Sequence, residues 1–155
     1  MKIRLVAVGQ RLASWIGDGY ADFAKRLPSH LDMRLVEIPS QHRKAGSVHK
    51  IRALEADKIL NVLQPQEWVV LLDERGKLLD TAQLSMRFHA WQELGRGLAF
   101  VIGGADGVDE RVRSRADETL ALASATYPHG LVRVMLAEQL YRVWSVTTGH
   151  PYHRA

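Results

Sequence analysis

The chemistry-bearing residues of this chain crowd its C-terminal end. Pro128-His129-Gly130-Leu131-Val132-Arg133 opens a stretch that carries Glu138, Tyr141 and Arg142 and closes as His150-Pro151-Tyr152-His153-Arg154-Ala155. Chain ends usually fray and carry little information. This one holds imidazole, guanidinium and phenol groups up to its penultimate residue, and no Asp or Glu follows Gln139. Imidazoles move protons near neutral pH, and guanidinium groups steady a developing anion. A terminus so equipped reads as one that reaches into an active site.

Other groupings carry a plain reading and a sharper one. Glu138 and Arg142 are four apart on one helix face, with Ser145 behind them. As an exposed pair they contribute only about 0.2–0.5 kcal/mol, and the tail that follows favours a role in a site. Gly103-Gly104-Ala105-Asp106-Gly107 lets backbone approach a ligand closely, or simply makes a tight turn. It is not a G-x-G-x-x-G fingerprint, and it follows the fourth apolar run rather than the first. Ser124-Ala125-Thr126, before Tyr127-Pro128, suits a loop wrapped around a flat ring such as adenine, or a plain loop. The segment Gln41 to His49 is basic and free of acid. It is a solvated loop or a phosphate contact that positions a nucleic acid without reading its sequence. His129, His150 and His153 match no zinc-ligand spacing, so no metal is expected. A serine hydrolase lacks its G-x-S-x-G elbow.

These residues need a frame, and the hydrophobic pattern supplies one. Apolar runs predict strands over residues 3–8, 34–38, 68–72, 98–102 and 119–123. Helical spacing predicts helices over 13–26, with Trp15, Ile16, Tyr20, Phe23, Ala24 and Leu27 on the repeat, and over 48–63, with Ile51, Leu54, Ile59 and Leu63 inward. Further helices are predicted over 81–94 behind an Asp80 cap, over 109–115, and over 131–147. The strictly alternating order means a mostly parallel sheet with helices on both faces, a single-domain α/β fold over residues 1–155. Ligands of such sheets bind beyond the carboxyl ends of the strands. Three loops qualify: 72–76, 102–107 and 122–128.

Composition narrows the class. The chain has 155 residues, 46% hydrophobic and 25% charged, as one ordinary globular domain would. No run approaches the roughly 18 apolar residues of a membrane span, and the N-terminus reads as no signal peptide. Cysteine is absent, which fits a cytoplasmic setting. The net charge of +4 is a modest bias toward polyanionic partners.

Five blocks, taken together, match a known pattern: Leu5-Val6-Ala7-Val8-Gly9, Ile102-Gly103-Gly104-x-x-Gly107, Pro128-His129-x-Leu131-Val132-Arg133-Val134, Glu138-x-Leu140-Tyr141-Arg142 and His150-Pro151-Tyr152-His153-Arg154. In these the chain resembles, over its whole length, the RlmH family of small SPOUT-class methyltransferases. The resemblance implies a C-terminal trefoil knot, which residue patterning could not supply. It implies S-adenosylmethionine as cofactor, held by Leu72, Gly103 and the run Leu122, Ala123, Ser124, Ala125, Thr126 and Tyr127. It implies a homodimer whose tail completes the partner's site, and N3 of a pseudouridine in 23S ribosomal RNA of the assembled ribosome as acceptor. Asp73-Glu74-Arg75 is more charged than that pattern leads one to expect.

The acceptor implied is a weakly acidic imide nitrogen, which must lose its proton or have its developing anion stabilised. Arg142 or Arg154 could stabilise the anion, and His129 or His153 has an ordinary pKa of about 6.5 that suits a base. Tyr152 could stack on an unstacked base, and Glu138 could hold Arg142 in orientation. Two rivals remain at this point. A non-catalytic RNA-binding module explains the charge and the tail but not the glycine and small-residue loops. A small-molecule α/β enzyme explains the loops but not the tail.

Overall fold

A computed structural model describes residues 1–41 and 46–154. Five strands, β1 (Lys2–Val8), β2 (Asp32–Ile38), β3 (Trp68–Leu78), β4 (Leu98–Ile102) and β5 (Glu118–Ala121), form one sheet in the order β2-β1-β4-β3-β5. Every neighbouring pair is parallel. The helices are α1 (Ser14–Ala24), α2 (Val48–Val62), α3 (Thr81–Glu93), α4 (Glu110–Arg115) and α5 (His129–Thr148), and a 3-10 turn (Pro151–Arg154) ends the chain.

Residues 5–8 of β1, 69–72 of β3 and the whole of β4 are buried on both faces, which explains their apolar runs. Alternate residues divide the core. Ile3, Leu5, Val70, Leu98 and Phe100 pack with α1, α3 and α5 through Tyr20, Phe88, Trp91, Leu136 and Leu140. Val6, Val8, Val69, Leu71 and Val101 pack with α2 and α4 through Ala56, Ile59 and Val112. The five-strand α/β architecture is the one the patterning predicted, but two details differ. Trp15 falls on the helical repeat yet is 58% exposed. Residues 73–77, expected as a loop, belong to β3.

That second difference shapes the carboxyl end of the sheet. Leu120 pairs with Leu72 and again with Lys77, so β3 bulges out between them and rejoins β5. A Cβ on Gly76 would sit 2.6 Å from the Leu120 nitrogen and 2.7 Å from the Thr119 carbonyl carbon. Only a glycine lets the bulge lie this close to β5.

The amino end of the sheet is closed by two carboxylates. Glu67, 4% exposed, takes Arg4 Nε at 2.6 Å and Arg4 Nη2 at 2.7 Å, and accepts the Gln64 amide at 2.8 Å. Burial alone would push its pKa up, but the Arg4 and Gln64 donors outweigh it and hold the carboxyl below its usual value. Glu118 accepts both the Trp68 indole N–H, at 3.0 Å, and the Trp91 indole N–H, at 2.6 Å, and pairs with Arg87.

Candidate functional site

A cavity of about 880 Å³ opens at the carboxyl end of the sheet, where the three marked loops meet. The ends of β3 and β4 supply Leu72 and Ile102, and the loop after β5 supplies Leu122, Ala123, Ala125, Thr126 and Tyr127. Pro128, His129, Val132 and Met135 of the α5 entry close another side. Of the eight residues expected to hold the cofactor, seven line this cavity. Ser124 is exposed and is not on the lining.

The glycine loop is shaped by contact. Gly107 donates its amide to the Gly104 carbonyl at 3.1 Å and has φ +83°, in the left-handed region that favours glycine. A Cβ on Gly103 would come within 2.4 Å of the Val108 side chain. The loop thus offers bare backbone to the cavity, which a larger residue at Gly103 would not allow.

The charged residues after β3 are tied down. Asp73 accepts the Arg75 amide at 2.9 Å and pairs with Arg113 at 2.7 Å. Burial would raise its pKa, but these donors prevail and it falls below the usual carboxylate value. Glu74 accepts the Thr126 hydroxyl, which links the bulge of β3 to the loop after β5.

The first turns of α5 carry a buried cation. Arg133 is 2% exposed and donates to the Gly9 carbonyl at 2.8 Å, with Glu37 at 2.7 Å on its other nitrogen. Gly130 lets α1 approach here, because a Cβ on it would meet Ile16 Cδ1 at 2.8 Å. Half-buried His129 lies one turn before Arg133. Burial, and then the Arg133 charge, lower its pKa, so the imidazole is neutral and can accept a proton at neutral pH.

None of the remaining predicted residues lines this cavity. Glu138 lines an adjoining groove of about 530 Å³ that shares Leu122 and Met135 with the main cavity. Glu138 Oε1 accepts Arg142 Nε at 2.8 Å and the Tyr152 hydroxyl at 3.1 Å. The Arg142 guanidinium carbon is 5.0 Å from the Tyr152 ring centre. Burial, and then the bond to Glu138, push the Tyr152 hydroxyl pKa up. Tyr152 also packs on Tyr141 and Phe23, so within one chain the tail folds back on its own α1 and α5. His153 is half-buried and Arg154 is exposed. Ser145, expected on the Glu138 face, is fully buried and donates its hydroxyl to the Arg142 carbonyl. The basic segment 41–49 is described only at Gln41 and from Gly46 onward, and residues 42–45 lie outside the described part.

Sequence reasoning missed Arg52, Glu55 and Arg133. Arg52 lines the main cavity, and Glu55 is buried beneath the glycine loop. Their signal was faint: a charged pair three apart on a helix, and one arginine inside an otherwise apolar stretch. Among the described residues, no group of His, Cys, Asp and Glu could hold a metal ion, and no helix is long and apolar enough to cross a membrane.

The fold and the cavity define a class: a parallel α/β protein with a cavity at the carboxyl ends of its strands, walled by glycine and small-residue loops. Comparison with known proteins narrows it. The family model described as "Predicted SPOUT methyltransferase" matches residues 1–153, and the chain belongs to that family. It is 48% identical over 156 residues to proteins named ribosomal RNA large subunit methyltransferase H from Burkholderia ambifaria (strain MC40-6) and Burkholderia multivorans, covering all of each chain. Among solved structures it is similar to a probable methylase family protein from Haemophilus influenzae Rd KW20. The TM-score is 0.59 and the identity 13%, over 97% of this chain and 69% of that one, a likeness of fold alone.

Proposed function

We propose that this chain is an S-adenosylmethionine-dependent methyltransferase that methylates N3 of a pseudouridine in 23S ribosomal RNA of the assembled ribosome. The observation that carries the reading is the convergence of Leu72, Gly103 and most of the loop 122–127 on one cavity, with Glu138, which holds Arg142 and Tyr152, lining the groove next to it. The cavity suits a nucleoside: its volume is within the range of small-molecule sites. Alanines and aliphatic side chains make up much of its lining, which also holds the carboxylates of Asp73, Glu74 and Asp106. When bound, S-adenosylmethionine supplies an electrophilic methyl group.

The chain's own residues would prepare the acceptor. Holding the acceptor nitrogen in line with the methyl accounts for much of the barrier reduction. His129, neutral and on the cavity wall, is the better placed of the two imidazoles to take the N3 proton. Arg142, fixed by Glu138, would stabilise the anion that proton loss leaves. Tyr152 would stack on the base, while His153 and Arg154 would contact RNA around it. The C-terminal part would be threaded as the trefoil knot that the family resemblance implies. The family resemblance implies a homodimer, in which the tail would serve the partner's site. Such an enzyme would work in the cytoplasm.

The test is transfer of a labelled methyl group from S-adenosylmethionine to ribosomes, free ribosomal RNA and free nucleotides, with the modified base mapped. Label in a single pseudouridine of intact ribosomes is expected. Labelling of nucleotides alone refutes the substrate, and calorimetry without donor binding refutes the enzyme. For the shared site, Arg154→Ala subunits mixed with subunits damaged at Gly103 should recover part of the activity. No recovery places each site within one chain.

A further inference from the structure

Helix α2 reaches under the cavity with two polar side chains one turn apart. The Glu55 residue is 4% exposed although it carries a carboxylate. Its Oε2 accepts the backbone N–H of Gln41 at 3.1 Å. Its two oxygens lie 3.1 and 3.3 Å from where a Cβ on Gly104 would stand, and Val8 Cγ1 stands 3.1 Å from that same point. Arg52, one turn earlier, donates Nε–H to the Asp106 carbonyl at 2.5 Å. The two side chains thus meet the loop at Gly104 and at Asp106, both within the turn that its own Gly104–Gly107 hydrogen bond closes. Burial pushes the Glu55 carboxyl up, the Gln41 N–H opposes this, and Asp106 adds to it. A buried carboxylate is costly unless it is hydrogen-bonded, and here it meets the glycine loop that offers bare backbone to the cavity.

We propose that Glu55 is a positioning residue for the methyl-donor site. Wedged between Gly104 and the Gln41 amide, and acting with the Arg52–Asp106 tether, it holds the Gly103–Gly107 loop in the shape that binds the donor. This rests on the reading of the main cavity as the S-adenosylmethionine site. Glu55 does not line the cavity and acts only through the loop. A side chain that merely filled space would tolerate loss of one methylene at some cost in stability, with donor affinity unchanged. A positioning carboxylate would not, because its reach sets where Gly104 lies.

The experiment compares the full-length wild type with Glu55→Gln and Glu55→Asp. Glutamine keeps length and an acceptor for the Gln41 amide, whereas aspartate keeps charge and withdraws the oxygens from Gly104. Calorimetry with S-adenosylmethionine should give wild-type affinity for Glu55→Gln and roughly tenfold weaker binding for Glu55→Asp. In 15N spectra without ligand, the Gly104 and Gly107 amides should move in Glu55→Asp and stay in Glu55→Gln. Unchanged affinity in Glu55→Asp overturns the proposal, as does equal weakening in both variants. If the wild type binds no donor, the cavity assignment fails. The glycine amides then test the positioning role alone, and unmoved peaks in Glu55→Asp overturn it. Should Glu55→Asp not fold, Arg52→Met replaces it, and an unmoved Gly107 amide there overturns the proposal.

Discussion

Replacing Arg133 by Met tests whether the start of α5 is held by one buried cation. Met keeps much of the side-chain volume but donates nothing. The Gly9 carbonyl loses a 2.8 Å bond and the Val8 carbonyl a weaker one at 3.4 Å, both in a buried setting. An unsatisfied buried group costs about 1–3 kcal/mol. The Glu37 pair adds little, because its carboxylate side chain is 36% exposed and solvent screens it. One well-made bond and one weak one therefore predict a loss of about 2–3 kcal/mol. At about 2–4 °C per kcal/mol for a chain of this size, the thermal midpoint should fall by roughly 5–10 °C. Chemical and thermal unfolding of Arg133→Met and of Glu37→Gln is the assay, and Glu37→Gln should lose less than about 1 kcal/mol. A loss below about 1 kcal/mol in Arg133→Met, or an equal loss in Glu37→Gln, would refute the assignment of stability to the carbonyl contacts. The same variant has a second readout: without the Arg133 charge, the His129 pKa should rise toward its ordinary value in an imidazole titration.

Three further outcomes are expected. Deleting Tyr152 to Ala155 should abolish methyl transfer to ribosomes while leaving donor binding and the far-ultraviolet spectrum nearly unchanged; full activity in the truncation would sink the role given to the tail. Gly76→Ala forces a methyl group into the backbone of Leu120 and should cost at least the upper end of the roughly 1–3 kcal/mol of overpacking, measured by urea unfolding. Because the folded-state pKa of His129 lies below its unfolded value, its contribution to stability is full above about pH 6.5 and is lost as pH falls through the folded pKa. His129→Asn should flatten that slope. If His129 is the base, the acid limb of the rate profile should also fall below pH 6.5, and a limb above that value would argue against it.

Much of the frame was legible because parallel strands buried on both faces must be apolar throughout, and glycine, proline and Asp80 punctuate the helices between them. The cavity was legible for the same reason: loops after such strands converge. The rest depended on contacts that no local pattern encodes. Asp73 to Lys77 reads as a loop because it is polar, yet β5 pairs on both sides of it. Trp15 sits on the apolar repeat of α1, but the helix turns it outward. Glu55 and Arg133 read as ordinary helix charges until their partners, the Gln41 amide and the Gly9 carbonyl, are seen. Ser124 differs from its neighbours only in which way the loop turns it. The tail's aromatic and cationic residues were plain from the sequence, whereas their packing on Tyr141 and Phe23 was not.

The two ends of the sheet do separate jobs, and this has a practical use. Glu67 and Glu118 lock the amino end with Arg4, Arg87 and two indoles, far along the strands from the cavity at the carboxyl end. Gln66 is exposed at that locked end, beside Glu67. A dye or surface tether placed there would stand at the opposite end of the strands from the cavity. Since the chain has no cysteine, Gln66→Cys would give a single thiol. The protein could then be immobilised in one orientation, with the cavity facing away from the support.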